Sequence, residues 1–382
     1  MYAYLDNAAT TPLDPAVLDA MLPYLAQHYG NPSSLHGPGR QVRAGIEQAR
    51  KSVAQLINAA PSEITFTSGG TEADNYAIFG SVRSLRLAHA ITSPLEHHAV
   101  LHPLQVLAKS GETKLSYLRH DAQGRLDLAH LEDLLATQPR TFVSLMHGNN
   151  ELGNLNDIKT IGEICARYDA VFHTDTVQTM GHYPHDVQQL QNHFLVGSAH
   201  KFHGPKGVGF LYRRGGVAVD SLLHGGAQER GVRSGTENVY GIVGLAKALE
   251  IAYHDMAAHR QHVQGLKDRL IGRLMASIDD VRFNGLSAEA DQSLYTVLSV
   301  SLPPSSISEM LLFSLDINKV AASGGSACTS GAQLGSHVLE ALGADPDRPT
   351  VRLSLSRLTT ADEVDYAADQ LAKLYQPASA LR

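Results

Sequence analysis

Short apolar runs alternate with stretches of helical periodicity through most of the chain. Residues 64–67 read as a strand, 68–72 as a turn and 73–83 as a helix. The same unit recurs. Residues 90–92 lead to a helix from about His98; 115–118 lead to a helix over 126–135; 142–146 lead to one over 158–168; and 170–173 form another strand. Strands this apolar, separated by helices, predict an α/β protein: a mostly parallel sheet covered on both faces. Ligands in such sheets gather beyond the strand carboxyl ends.

Before this region, Asp14-Pro15 gives N-cap and N1 signals for a helix whose apolar face would be Val17, Leu18, Met21 and Leu22. Residues 31–34 form a loop. Val42, Ile46, Ala49, Val53 and Leu56 then sit at helical spacing. The span 240–274 has few breakers and predicts one long connecting helix. Beyond it the rhythm changes: strands fit 281–283, 294–302 and 350–354, and helices fit 306–315, 336–342 and 361–374. These patterns predict a large domain over 15–255. A smaller α+β domain would combine 1–14 with 256–382.

Composition narrows the function. The 382 residues carry a net charge of −7, which disfavours a nucleic-acid surface as the main partner. No apolar run is long enough for a membrane span, and the first residues lack the basic and apolar regions of a secretory signal. With only two cysteines, Cys165 and Cys328, the expected setting is the reducing cytoplasm.

The chemistry centres on residues 198–207, Ser-Ala-His-Lys-Phe-His-Gly-Pro-Lys-Gly, between two apolar runs. A lysine just past a buried strand is partly desolvated, which favours the neutral amine that forms an imine with a carbonyl. Ser68-Gly69-Gly70-Thr71 opens a helix, so its N–H groups suit an anion; a plain strand–helix turn would look the same. Asp175, at the end of a strand, suits a pyridinium nitrogen, or equally caps the next turn; Gln178 follows it. His97, in Glu96-His97-His98, can stack on a ring and exchange protons. With 20 histidines present, His36, His98, His102 and His203 are read as ordinary. Cys328 lies in a run of glycine, serine and alanine, which predicts an accessible thiol, whereas Cys165 sits in a helical pattern and reads as core. Arg352, in a strand, suits a carboxylate or is simply a surface residue.

Taken together these stretches resemble the cysteine desulfurases of the IscS/NifS group, class V aminotransferase relatives with the pyridoxal-phosphate type I fold. The resemblance rests on residues 4–12, 67–75, 146–153 and 198–207, on Arg233-Ser234-Gly235-Thr236, and on residues 325–330 around Cys328. It implies pyridoxal 5'-phosphate tethered to Lys201, with Gly70, Thr71, Ser198, Ala199 and His200 on its phosphate and ring side. Asp175 would meet the ring nitrogen, Gln178 and Asn150 the ring hydroxyl, and His97 the ring face. Asn150 and Arg352 would hold the carboxylate of L-cysteine. Thr236 would reach the phosphate from a partner subunit, which implies a homodimer. Cys328 would take the sulfur as a persulfide, releasing alanine, and pass it to an acceptor such as an iron–sulfur scaffold, where it could share an iron–sulfur ligand role. The chain shows no counterpart of the extended tail with which housekeeping members dock their scaffold, so a specialised acceptor is equally expected. The runner-up is a selenocysteine lyase or related class V aminotransferase; a non-catalytic sulfur-assembly scaffold ranks lower.

Overall fold

The computed structural model describes residues 1–138, 140–324 and 335–375. Seven strands form its main sheet, in the order Ile64–Thr67, Gly209–Arg213, Phe194–Ser198, Val171–Asp175, Thr141–Ser144, His89–Thr92, Lys114–Tyr117. All neighbours are parallel except Gly209–Arg213, which runs antiparallel to both of its partners. Thr141–Ser144 and Phe194–Ser198 are buried along their whole length, as strands covered on both faces are. Helices cover both faces. One core packs Ile64, Phe66, Leu195 and Phe210 against Val17, Ile46, Val53 and Leu245, and another around Val143, Ile161 and Phe172 continues on the same face; a third, around Tyr76, Phe142 and Val196, covers the opposite face.

A separate core joins Ala3 and Leu5 to Leu266, Leu270, Val300, Leu353 and Leu371. It is built on the antiparallel strands Val297–Ser301, Thr350–Ser354 and Arg282–Phe283, with a short parallel pair, Ala3–Tyr4 on Val320–Ala321. The chain start is therefore stitched into segments more than three hundred residues away.

Two elements differ from the sequence pattern. The long connector is two helices, Val239–His254 and Met256–Ser277, broken at Asp255, whose ψ of 20° leaves the helical region without any glycine or proline. The first helix, Pro15–Ala26, is capped by Asp14 as its signals predict and buries Val17 and Met21, but Leu18 and Leu22 point outward. Its neighbour, Val239–His254, meets the 17/21 stripe: a Cβ on Gly244 would lie 2.7 Å from Met21 Sδ.

Candidate active site

Strands of the main sheet end in turns that converge on a cavity of about 170 Å³. Its walls include Gly70, Thr71, His97, Asn150, Asp175, Gln178, Ser198, His200, Lys201 and Arg352. Ten residues singled out from separate stretches of sequence thus share one pocket.

Lys201 follows the strand Phe194–Ser198 on a single turn of 3-10 helix. The turn is closed by His203, at φ 67°, and by Gly204, where a Cβ would strike Ala199. The N-terminal arm sets the amine. Lys201 Nζ donates to Ala8 O at 2.5 Å and Ala9 O at 2.9 Å, and Gln178 Nε2 donates to the same Ala8 oxygen at 3.0 Å. Thr11 binds His200 O through both its N–H and its hydroxyl, and accepts from His203 N. These bonds lock the arm onto the lysine turn.

The helix Gly70–Leu85 begins beside this amine with Gly69 at the N-cap, so no side chain occupies its terminal N–H groups. Glycine is needed at two close approaches. A Cβ on Gly70 would sit 2.7 Å from Val177 Cγ2, and one on Gly209 would sit 2.8 Å from the backbone of Gly69. The result is a backbone cradle for an anion.

Asp175 is buried on the same pocket and its Oδ1 accepts from Val177 N at 2.8 Å. Burial raises the pKa of its carboxyl, while that backbone bond and the charge of Lys201 act against the rise. His97 caps the helix His98–Lys109: its Nδ1 accepts from Ala99 N at 3.1 Å. That bond assigns the proton of the neutral ring to Nε2. Burial first, then Lys201, His337 and His102, push the His97 pKa down to about 4, so the ring is uncharged at neutral pH. His200 is likewise lowered to about 4 by burial and the nearby lysines, and its Nδ1 lies 3.1 Å from Thr10 Oγ1.

Arg352 is buried. Its Nη1 donates to Asn150 O at 2.8 Å and its Nη2 to Asp6 Oδ1 at 2.9 Å, while its Nε has no hydrogen-bond partner. A buried donor without an acceptor on the wall of a pocket is suited to a carboxylate ligand.

Three residues fall elsewhere. Ala199 is fully buried and packs in the core beneath the sheet rather than on the cavity. Thr236 lines a second cavity with Ser68, Gly207 and Arg233. Cys328 lies outside the described residues. Of the histidines read as ordinary, His36 caps a helix and His203 is buried with Nδ1 2.9 Å from Pro12 O, while His98 stacks on His102 and His337. Cys165 is core, and burial pushes its thiol up to about 12. The sequence reading gave no role to Ala8, Ala9 or Asp74, all of which line the pocket. Asp74 left a signal, since an acid stands there beside Ala73, Tyr76 and Ala77 on the buried face of a helix.

The donor set fits pyridoxal phosphate: an amine, a buried acid and an unblocked helix N-terminus meet around one pocket. Together with the sheet they define an α/β enzyme of the pyridoxal-phosphate type I fold. The chain belongs to the aminotransferase class-V family, whose model matches residues 3–367. A relative from Clostridium botulinum named cysteine desulfurase IscS is 41% identical, covering 97% of this chain and 94% of its own. A solved NifS-like protein superposes with a TM-score of 0.89 at 36% identity, covering 98% of this chain and 99% of its own. Another, SspA in complex with cysteine, gives 0.80 at 32% identity, covering 94% of this chain and all of its own.

Proposed function

We propose that the protein removes sulfur from L-cysteine, releasing L-alanine and leaving the sulfur as a persulfide on Cys328. It is a cysteine desulfurase that uses pyridoxal phosphate. The observation that carries this reading is the convergence of Lys201, Asp175 and Arg352 on one pocket.

When bound, pyridoxal phosphate supplies an electrophilic carbonyl and a sink for the charge left when a substrate α-proton departs. Lys201 Nζ would hold the group and would serve as the base at the substrate α-carbon. The N–H groups of Gly70 and Thr71, with Ser198 and His200, would bind its phosphate. Asp175 would hold its ring nitrogen protonated, Gln178 and Asn150 would hydrogen-bond its ring hydroxyl, and the neutral His97 would pack on the ring and offer its Nε2 proton. Arg352 Nε, with Asn150 beside it, orients the substrate carboxylate. The thiolate of Cys328 attacks the substrate sulfur: an S–S bond forms, the C–S bond breaks, and its electron pair stays with the carbon skeleton that leaves as alanine.

A homodimer fits the remaining features. Leu18, Leu22 and Leu25 lie on one face of the first helix at 42, 48 and 51% exposure. Thr236 opens toward a cavity other than its own chain's lysine pocket, so a partner's pocket is its natural target. We read residues 15–255 as the cofactor domain and 1–14 with 256–382 as the smaller one. No helix among the described residues is long and apolar enough to cross a membrane. We place the enzyme in the cytoplasm, handing sulfur to an acceptor protein such as an iron–sulfur scaffold.

The test is incubation with L-cysteine and assay of both alanine and protein-bound persulfide. Lys201→Ala is expected to lose the visible absorption of the bound cofactor and all turnover. Cys328→Ala is expected to keep the absorption and lose the persulfide. Unchanged cysteine turnover in Cys328→Ala rules out the sulfur-acceptor role.

A further inference from the structure

Asp74 stands on the first turns of the helix Gly70–Leu85, 1% exposed, on the wall of the lysine pocket. Its Oδ1 has no hydrogen-bond partner. The nearest ring, His173 Nε2, lies 3.3 Å away without hydrogen-bond alignment, and that nitrogen is unpartnered too. His173 turns its other nitrogen to Ser144 Oγ at 2.8 Å. It is fully buried, and burial lowers its pKa to about 3, so it supplies no positive charge.

The other groups around Asp74 are acids. Asp175, on the strand Val171–Asp175, and Glu96, in the turn before the helix His98–Lys109, both act on it electrostatically. Glu96 is itself buried, with one oxygen accepting from Met146 N at 2.7 Å and the other unpartnered. The charge of Lys201 acts on Asp175, Arg352 pairs with Asp6, and Asp74 Oδ1 accepts no hydrogen bond. A carboxylate left in such a place without a cation neutralises rather than stays charged. Burial and the two neighbouring acids all shift Asp74 the same way, well above the usual carboxylate range.

We propose that Asp74 and Asp175 hold one proton between them, carried on Asp74, so that Asp74 is a positioning residue that leaves Asp175 as the single anion facing the pocket. Two neighbouring buried carboxyls cannot both ionise cheaply. A proton on Asp74 lets Asp175 keep its charge for a protonated ring nitrogen. This consequence rests on the cofactor reading above; the proton itself does not.

The test uses the full-length protein with its aspartates carboxyl-labelled by carbon-13, which leaves Glu96 silent. At pH 7, magnetic resonance or infrared spectroscopy is expected to show one protonated aspartate that is absent from Asp74→Asn. The unfolding equilibrium supplies a second readout. An acid whose folded pKa is raised contributes stability that is complete below its unfolded value and is lost as pH rises toward the folded one. Between pH 5 and 7 the parent's unfolding constant is therefore expected to gain a factor of about ten per pH unit relative to that of Asp74→Asn. A labelled parent with every aspartate ionised overturns the proposal, as does a protonated signal that persists in Asp74→Asn or an equal pH slope in the two proteins. If Asp74→Asn does not fold, the labelled parent decides alone. Saturation with pyridoxal phosphate separates the two readings: a protein that gains no visible absorption counts against the cofactor, while the carboxyl result stands.

Discussion

Asp6 already holds the guanidinium that a substrate carboxylate needs: its Oδ1 lies 2.9 Å from Arg352 Nη2 and also accepts from Ser323 Oγ at 2.7 Å. Arg352 is thus charged, oriented and only partly satisfied, since its Nε is unpartnered. Replacing it with lysine removes the planar fork and keeps the charge. Arg352→Lys is expected to raise KM for L-cysteine by at least about tenfold, the loss of one charge-assisted hydrogen bond of roughly 1.5–3 kcal/mol. Cofactor absorption is expected to persist. An unchanged KM would remove Arg352 from the substrate site.

Arg50 and Glu229 form a buried bidentate pair, with Nη1 to Oε2 at 2.7 Å and Nη2 to Oε1 at 2.9 Å. The same carboxylate accepts from Phe66 N, and the guanidinium lies over the Phe66 ring. Glu229 and Arg230 both have positive φ, so the pair holds a bent segment against the strand that leads into the anion cradle. Removing one partner leaves a buried charge. Glu229→Gln is expected to cost about 3–5 kcal/mol in denaturant unfolding. A loss below about 1 kcal/mol would mean that water compensates the arginine.

Lys267 is fully buried on the helix Met256–Ser277, donating to Ser293 Oγ at 2.9 Å and to Leu294 O at 2.7 Å. Both acceptors are neutral, and burial lowers its pKa to about 7. A lysine depressed in the folded state contributes stability that is complete above its unfolded value, near 10.4, and is lost as pH falls toward 7. The full span is on the order of 5 kcal/mol. Stability of the parent is expected to climb between pH 7 and 9 by one proton's slope more than that of Lys267→Met. Equal slopes in urea titrations would show that the ammonium is hydrated.

The strand–helix rhythm was legible because the main sheet is parallel and covered, so its strands carry unbroken apolar runs. The lysine turn and the glycine cradle were legible because their chemistry is local. What escaped was set at a distance. Nothing near Asp6 announces that it pairs with a residue 346 positions later. The first helix offers two apolar stripes, and only packing against Val239–His254 selects Val17 and Met21 over Leu18 and Leu22. The break at Asp255 lies inside continuous periodicity. Asp74 was visible as an acid among apolar neighbours, but its relation to Asp175 needs the helix and the strand to be brought together.

Acid sensitivity follows from the buried and half-buried histidines. His97, His147, His182, His200 and His203 are all lowered to about 4, chiefly by burial, and His173 to about 3. Each titrates near 6.5 once unfolded. Their contribution to stability is complete above 6.5 and is lost as pH falls through the interval to about 4. The raised acids Asp74, Glu96 and Asp175 work the other way, gaining stability as pH falls. Six histidines outweigh three acids, so the balance favours steep acid unfolding. Thermal scans are expected to show the melting temperature dropping sharply between pH 6 and 4.5. His147→Gln, at a half-buried ring outside the pocket, is expected to flatten that drop by close to one proton's worth. Loss of activity over the same interval should track unfolding rather than protonation of His97. A folded but inactive protein at pH 5 would place the titrating group in the pocket instead.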